Sequence, residues 1–145
     1  MVATNSTATI KTLEKPIATW SVTVNRFEGK VAIVTGAAGG IGRAAALRFA
    51  SEGASVVAVD VSAEGADETV TAIEAAGGTA HAVQADVTNS AEVEGYVNAA
   101  VDIYGGVDVL FNNAGIEGAI VGLEEYPEDT FDQVLDVNVK GVWLG

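Results

Sequence analysis

Four β-rich apolar runs begin near Val31, Val56, His81 and Val107, spaced 25, 25 and 26 residues apart, with a helical pattern in each gap. A period of that size is one strand plus one helix, so it reads as successive βα units and not as a solenoid repeat. The runs Val31-Ala32-Ile33-Val34 and Val56-Val57-Ala58-Val59 are apolar at every position. Strands without polar alternation are buried on both faces, as in a parallel sheet covered by helices. Between the first two runs Ile41, Ala45 and Phe49 recur at four-residue spacing, and Val93, Val97, Val101 and Tyr104 form a similar stripe before the fourth, Val107 to Phe111. Those stripes predict one-sided helices lying on a sheet. The fold class is therefore α/β, with a doubly wound parallel sheet.

At 145 residues, 49% of them hydrophobic, the chain has room for one compact domain. Residues 1–27 stand apart from it, rich in Thr, Ser, Ala and Asn and without the strand-helix rhythm. They read as a polar, disordered N-terminal tail, in which Trp20 to Val24 alternates weakly like an added edge strand; the domain spans 28–145. The tail has no apolar block long enough for a secretory signal, and Arg26 as its one arginine makes a poor transit peptide. Absence of cysteine removes disulfides, thiolate zinc sites and cysteine nucleophiles, and leaves the cytoplasm as the default compartment. No run approaches the roughly 18 consecutive apolar residues of a membrane span, so no membrane partner is expected. Twenty acids against seven bases give a net charge of −13, and no Lys or Arg falls between Phe49 and Val139. Nucleic-acid partners are excluded on that ground, because binding a phosphate backbone needs clustered cations. An anionic ligand would be held by backbone N–H groups and helix ends.

The first run closes in Thr35-Gly36-Ala37-Ala38-Gly39-Gly40-Ile41-Gly42, inside which the first helix starts. Glycines at Gly36, Gly40 and Gly42 let the backbone approach a pyrophosphate, and the N–H groups around Ile41 at the positive helix end would hold it. Tight turns also use glycine for steric reasons alone, but this cluster sits between a buried strand and an amphipathic helix. Asp60 ends the second run, 18 residues after Gly42, where a dinucleotide-binding βαβ unit places the acid that bonds ribose hydroxyls. The competing reading is a helix N-cap or turn aspartate. The same carboxylate favours NAD over NADP. A 2′-phosphate beside it would be repelled by about 4 kcal/mol per charge pair at an effective dielectric of about 20 and a separation of about 4 Å. Neither Ala37-Ala38 nor the stretch from Val61 to Gly65 carries a cation to offset this.

These residues resemble the short-chain dehydrogenase/reductase family. Its T-G-x-x-x-G-x-G turn is Thr35 to Gly42, its Asn-Asn-Ala-Gly is Asn112-Asn113-Ala114-Gly115, its acid-Val pair is Asp86-Val87, and its asparagine helix matches Asp136 to Gly141. The similarity runs from about Lys30 to Gly145. It implies a Rossmann-like sheet, incomplete here, of about four strands in the order 3-2-1-4. It also implies that Asp86 and Val87 flank adenine, that Asn113, Ala114 and Gly115 line the nicotinamide-side ribose, and that Asn138 supports a proton relay. The parent reaction would be hydride transfer between NAD and a small alcohol or ketone, by an enzyme that is a homo-oligomer when complete.

Asn138 also stands out without the family, since Phe131, Leu135, Asn138 and Val142 share one helical stripe expected to face the core. An unpaired amide there would cost about 1–3 kcal/mol, so partners are required, whether for catalysis or to tie helix to sheet. Asn112 reads as a turn amide stabilising the sheet end. His81, the one histidine, reads as a packing residue on the third strand, and no metal site is expected. The acids from Gly118 to Asp132 lack the order of a calcium loop and read as a solvated face, with Pro127 and Glu128 starting the last helix. The family pairs a Ser with Tyr-x-x-x-Lys, in which Lys lowers the tyrosine pKa for proton exchange. Here Tyr96, Tyr104 and Tyr126 are followed four residues on by Ala100, Asp108 and Thr130, and no serine follows Ser90. The chain therefore reads as a cofactor-binding part, truncated at its C-terminal end and inactive alone. The alternatives are a non-catalytic NAD-binding or sensing module and a methyltransferase-like domain; the glycine spacing and the Asn-Asn-Ala-Gly turn oppose the latter.

Overall fold

A computed structural model describes residues 25–145. Four parallel strands, β1 (Val31–Thr35), β2 (Ser55–Asp60), β3 (Thr79–Gln84) and β4 (Val109–Phe111), form one sheet in the order β3-β2-β1-β4. Helices α1 (Gly40–Ser51), α2 (Ala63–Ala75) and α3 (Ser90–Tyr104) make the crossovers. After β4 come a 3-10 turn at Leu123–Glu125, α4 (Glu128–Leu135), a π-helical turn (Asp136–Lys140) and α5 (Gly141–Leu144). The alternating Rossmann-like architecture and strand order expected from the sequence are those observed.

All five residues of β1 and the inner four of β2 are buried, which explains their unbroken apolar runs. Alternation survives as a division of labour between the faces. Ala32, Val34, Val56 and Ala58 meet Ala46 and Ala50 of α1 and Ile73 of α2. Val31, Ile33, Val57 and Val59 meet Val93, Tyr96 and Ala100 of α3. Ile33 lies opposite both Val57 and Leu110, so one register carries both faces across the sheet.

The helix stripes differ from the sequence expectation by one position. In α1 the buried residues are Gly42, Ala46 and Ala50, whereas Ile41 is 73% exposed. In α3 they are Val93, Tyr96 and Ala100, and Val101 is exposed. In α1 the reason is steric: small side chains let the helix axis approach the sheet, so glycine and alanine take the contact line and larger residues flank it, whereas α3 buries the ring of Tyr96 between Val93 and Ala100. Around Asn138 the stripe is likewise displaced. Phe131, Leu135 and Val142 are exposed, and Val134, Val137, Gly141 and Leu144 face the body instead. His81 does not pack in the core; it is exposed on the edge strand β3, opposite Val57.

Strand β4 starts at Val109 and not at Val107, and Asp108 just before it forms a latch to β1. Its carboxylate accepts from Lys30 Nζ at 2.8 Å and from the Val31 N–H at 2.9 Å, and the Lys30 ammonium holds it below the ordinary carboxylate range. The boundary placed at residue 27 falls inside the packed body. Phe27 stacks edge-on against Phe49 with ring centroids 5.0 Å apart, and Arg26 and Arg48 both pair with Glu52, which is 4% exposed. The weak strand read at Trp20 to Val24 lies outside the described residues.

Candidate functional site

In a parallel sheet every strand ends at the same edge, so the segments following β1, β2, β3 and β4 converge there whatever their separation in sequence. Gly36, Asp60, Asp86 and Ala114 arrive by this route and line one cleft of about 290 Å³.

The turn after β1 is held by an acceptor from its own strand and a donor from β4. Thr35, 1% exposed, accepts on Oγ1 from the N–H groups of Asn113 and Ala114, both at 3.0 Å. Asn113 Nδ2 donates back to the carbonyl oxygens of Thr35 at 2.9 Å and Gly36 at 3.4 Å. This is close enough that a Cβ on Gly36 would lie 2.9 Å from Asn113 Nδ2 and 3.0 Å from Ala114 Cα, and φ there is +67°. Gly36 is required twice, by conformation and by space. Gly42 is required by space alone, since its Cβ would overlap the Gly36 carbonyl.

Helix α1 begins without a side-chain cap and without an acid in its first turn. Helix α2 contrasts with it, since Ser62 caps the Gly65 N–H and Glu64 lies in the first turn; α3 has Asn89 and Glu92 in the equivalent places. A positive helix end left uncapped next to a cleft suits an anion supplied from outside.

Asp60 acts as the turn aspartate weighed from the sequence and also lines the cleft. Its Oδ2 accepts from the Ala38 N–H at 2.9 Å, tying the glycine turn to β2, and its Oδ1 accepts from the Ser62 N–H at 3.0 Å, a turn-aspartate bond. Each oxygen keeps a lone pair directed elsewhere, and the residue lines the cleft. Asp86 is set in a comparable way: its Oδ1 accepts from Thr88 N–H at 2.9 Å, while Glu92 accepts from its backbone N–H at 2.7 Å.

Gly36, Asp60, Asp86, Val87, Ala114 and Gly115 are thus gathered around one space. Gly40, Ile41 and Gly42 are not on its wall; they form the start of α1 beside it. Asn113 lies behind the wall as the lock just described. Asn138 is exposed, and its amide closes a two-way bridge to Ile116, accepting from its N–H and donating to its carbonyl, each at 2.9 Å. The partners it required are therefore loop backbone, and the bridge sits in a π-helical turn, a distortion frequent at functional positions. Asn112 donates to the Val142 carbonyl at 3.4 Å, in keeping with a structural amide.

The loop from Ile116 to Tyr126, expected from the sequence to border the substrate cleft, brings Ile116 to the wall, while sequence reasoning missed Val59, Val61, Ala85, Gln133 and Val137 there. Val59, Val61 and Ala85 adjoin Asp60 and Asp86, and Gln133 and Val137 are one helical turn apart, so adjacency and i,i+4 spacing were the available signals. Among the described residues no three His, Cys, Asp or Glu side chains cluster as a metal site would need. No helix among them is long and apolar enough to cross a membrane.

Residues 30–145 match the family model described as short chain dehydrogenase. The chain is 42% identical over 122 residues to a levodione reductase of Leifsonia aquatica, covering 83% of this chain and 46% of that one. It is 49% identical over 120 residues to 3beta-hydroxysteroid dehydrogenase 1 of Eggerthella lenta, covering 82% and 46%. Among solved structures, an NAD+-bound xylitol dehydrogenase superposes with a TM-score of 0.80 at 40% identity, over 82% of this chain and 46% of that one. The chain spans about half the length of the curated relatives it matches. The motifs, the strand order and the matched residues coincide, and the chain belongs to the short-chain dehydrogenase/reductase family.

Proposed function

We propose that this chain is the cofactor-binding part of an NAD-dependent oxidoreductase that moves hydride between nicotinamide and a small alcohol or ketone. The observation that carries the reading is the convergence of Gly36, Asp60, Asp86, Val87, Ala114 and Gly115 on one cleft at the carboxyl edge of the sheet. The residues suit the cofactor. An uncapped α1 offers N–H groups to a pyrophosphate, Asp60 offers lone pairs to ribose hydroxyls, and Val61, Val87 and Val137 offer an apolar wall to adenine. The pair Ala114-Gly115, held by Asn113, borders the space for the second ribose.

The cofactor supplies the redox chemistry when bound; the chain's part is to bind and orient it. Asp60 favours NAD, because a 2′-phosphate would meet a carboxylate already fixed by two N–H groups and unable to swing away. None of Tyr96, Tyr104 and Tyr126 has a lysine four residues on, so these residues do not provide the proton transfer, and residues 1–145 alone are inactive in this reading. Cytoplasmic placement and self-association belong to the same proposal and rest on family membership. The names of the relatives, a reductase and two dehydrogenases, support a small-molecule substrate.

Calorimetric titration of the 145-residue chain with NAD and with NADP tests this, repeated on Asp60→Ala with the thermal midpoint as a control for folding. Saturable NAD binding, NADP at least tenfold weaker, and loss of that preference in the variant are expected. A folded chain that binds neither dinucleotide, or both equally, would overturn the assignment.

A further inference from the structure

The peptide group that joins Ala37 to Ala38 is held at both ends. Its N–H donates to Asp60 Oδ2 at 2.9 Å, and its carbonyl oxygen accepts from Thr69 Oγ1 at 2.7 Å across 32 residues. Thr69 lies in α2 and is fully buried. A helical threonine can return its hydroxyl to the carbonyl four residues back, as Thr71 does to Asp67 at 2.9 Å. The same kind of acceptor is within reach of Thr69, whose Oγ1 lies 3.1 Å from the Gly65 carbonyl oxygen. Its hydroxyl has one hydrogen, however, and the Ala37 oxygen is closer. Gly65, one helical turn before Thr69, makes the approach possible, since a Cβ on it would lie 2.5 Å from Ala38 Cβ. Space at Gly65 and a donor at Thr69 thus bring α2 onto the glycine turn.

Resting on the cofactor reading above, we propose that Thr69 is a positioning residue for the pyrophosphate-binding turn: by pinning the carbonyl of the 37–38 peptide to α2, it pre-sets the direction of the N–H groups that follow. The need for such a pin is conformational. Gly36 precedes that peptide at φ +67°, and Gly39, extended, and Gly40, at φ +53°, follow it. Three glycines in five residues leave the backbone many alternatives, so its order has to come from contacts outside the turn. Asp60 fixes one end of the peptide. With the other end released, Gly39, Gly40 and Ile41 would have to be ordered as the anion binds, at a cost in affinity. Thr69 is not on the cleft wall, so it acts through the turn and not by touching the ligand.

The test uses ADP and adenosine, which share base and ribose and differ by the pyrophosphate. Affinities for both are followed by NMR titration of the full chain, of Thr69→Val, which keeps the shape without the donor, and of Thr69→Ser, which keeps the donor. Thr71→Val serves as control, because it removes a hydroxyl bonded within α2 alone. Thr69→Val is expected to weaken ADP roughly three- to tenfold, the net worth of one neutral hydrogen bond, and to leave adenosine within about twofold. Thr69→Ser should regain most of the loss, and Thr71→Val should match wild type. In ligand-free Thr69→Val the amides of Gly39, Gly40 and Ile41 should show lower order parameters than in wild type. Packing alone would weaken both ligands together and leave those order parameters unchanged. A Thr69→Val protein that keeps the wild-type ADP affinity, or loses ADP and adenosine in parallel, would overturn the role of Thr69 and leave the cofactor reading standing. Thr69→Ala takes its place in the same measurements should Thr69→Val not fold. Failure of the folded wild type to bind either ligand would overturn both.

Discussion

The glycine turn permits a prediction in which three neighbouring substitutions separate space from conformation. A Cβ at Gly42 would overlap the Gly36 carbonyl oxygen and lie 2.7 Å from its carbonyl carbon and 2.7 Å from Asn113 Nδ2. The nearest obstacles are backbone atoms on the far side of a tight turn, so relief requires α1 to retreat from the sheet by roughly 1 Å. Gly42 shares its buried stripe with Ala46 and Ala50, and the retreat would loosen both contacts. Overpacking of this kind costs about 1–3 kcal/mol, and unyielding neighbours place it at the upper end. The better helix propensity of alanine returns about 1 kcal/mol, leaving Gly42→Ala destabilised by about 2 kcal/mol. At roughly 4 °C per kcal/mol for a domain of this size, Tm should fall by about 8 °C. Gly40→Ala meets nothing within 4 Å, but its φ of +53° imposes about 1–2 kcal/mol, or roughly 4–8 °C. At Gly39 the backbone is extended, with φ −166°, and the space is open, so Gly39→Ala should leave Tm within about 2 °C of wild type. Thermal unfolding followed by circular dichroism gives all three midpoints. A Gly42→Ala protein that melts with wild type, or a Gly39→Ala protein that melts as low as Gly42→Ala, would refute the steric argument.

Thr35→Val keeps the shape of a buried side chain while removing the acceptor for two N–H groups, so it should cost about 2–4 kcal/mol in a urea titration with unchanged slope, and Thr35→Ser should recover most of that. The Arg26 guanidinium, by hydrogen bonding, and then Arg48 hold the Glu52 carboxyl down at about 2 against a usual 4.5. A depressed folded-state value means stabilisation that is complete above pH 4.5 and is lost as pH falls through about 2. Wild type should accordingly lose more Tm than Glu52→Gln between pH 5 and pH 2, and equal losses would count against the pair. Tyr96 is fully buried, its hydroxyl has no partner among the described residues, and burial raises its pKa. Tyr96→Phe should therefore raise stability by about 1 kcal/mol in calorimetry; a lower Tm would show that the hydroxyl is satisfied.

Much of the architecture is legible in the sequence because it depends on local patterns. Unbroken apolar runs in β1 and β2 require two covered faces, and the 25-residue spacing leaves room for one helix between strands. Helix orientation is less legible. In α1 the string Ala44-Ala45-Ala46-Leu47 allows several apolar stripes, and the true one follows the smallest residues, a choice set by how closely the sheet can be approached. The expectation for His81 failed because the alanines beside it suggested a buried strand, whereas β3 is an edge with half its residues open to water. Asn138 illustrates a mixed outcome, since the need for partners was legible but the stripe and the identity of those partners were not.

By itself the sequence determined an α/β alternation, a glycine turn at the start of a helix, an acid closing the second strand and a surface too poor in cations to hold an anion by side chains. Each of these is a property of residues close together in the chain. Tertiary structure decided that Asn113 would lock Thr35 and Gly36 across 78 and 77 residues, that Asp60 would fix Ala38, and that Gln133 and Val137 would reach the cleft wall. Those contacts depend on β1 lying between β2 and β4 in one register, with all strand ends at a single edge. Parallel pairing joins strands that are far apart in sequence, so no local window contains the information that brings their loops together.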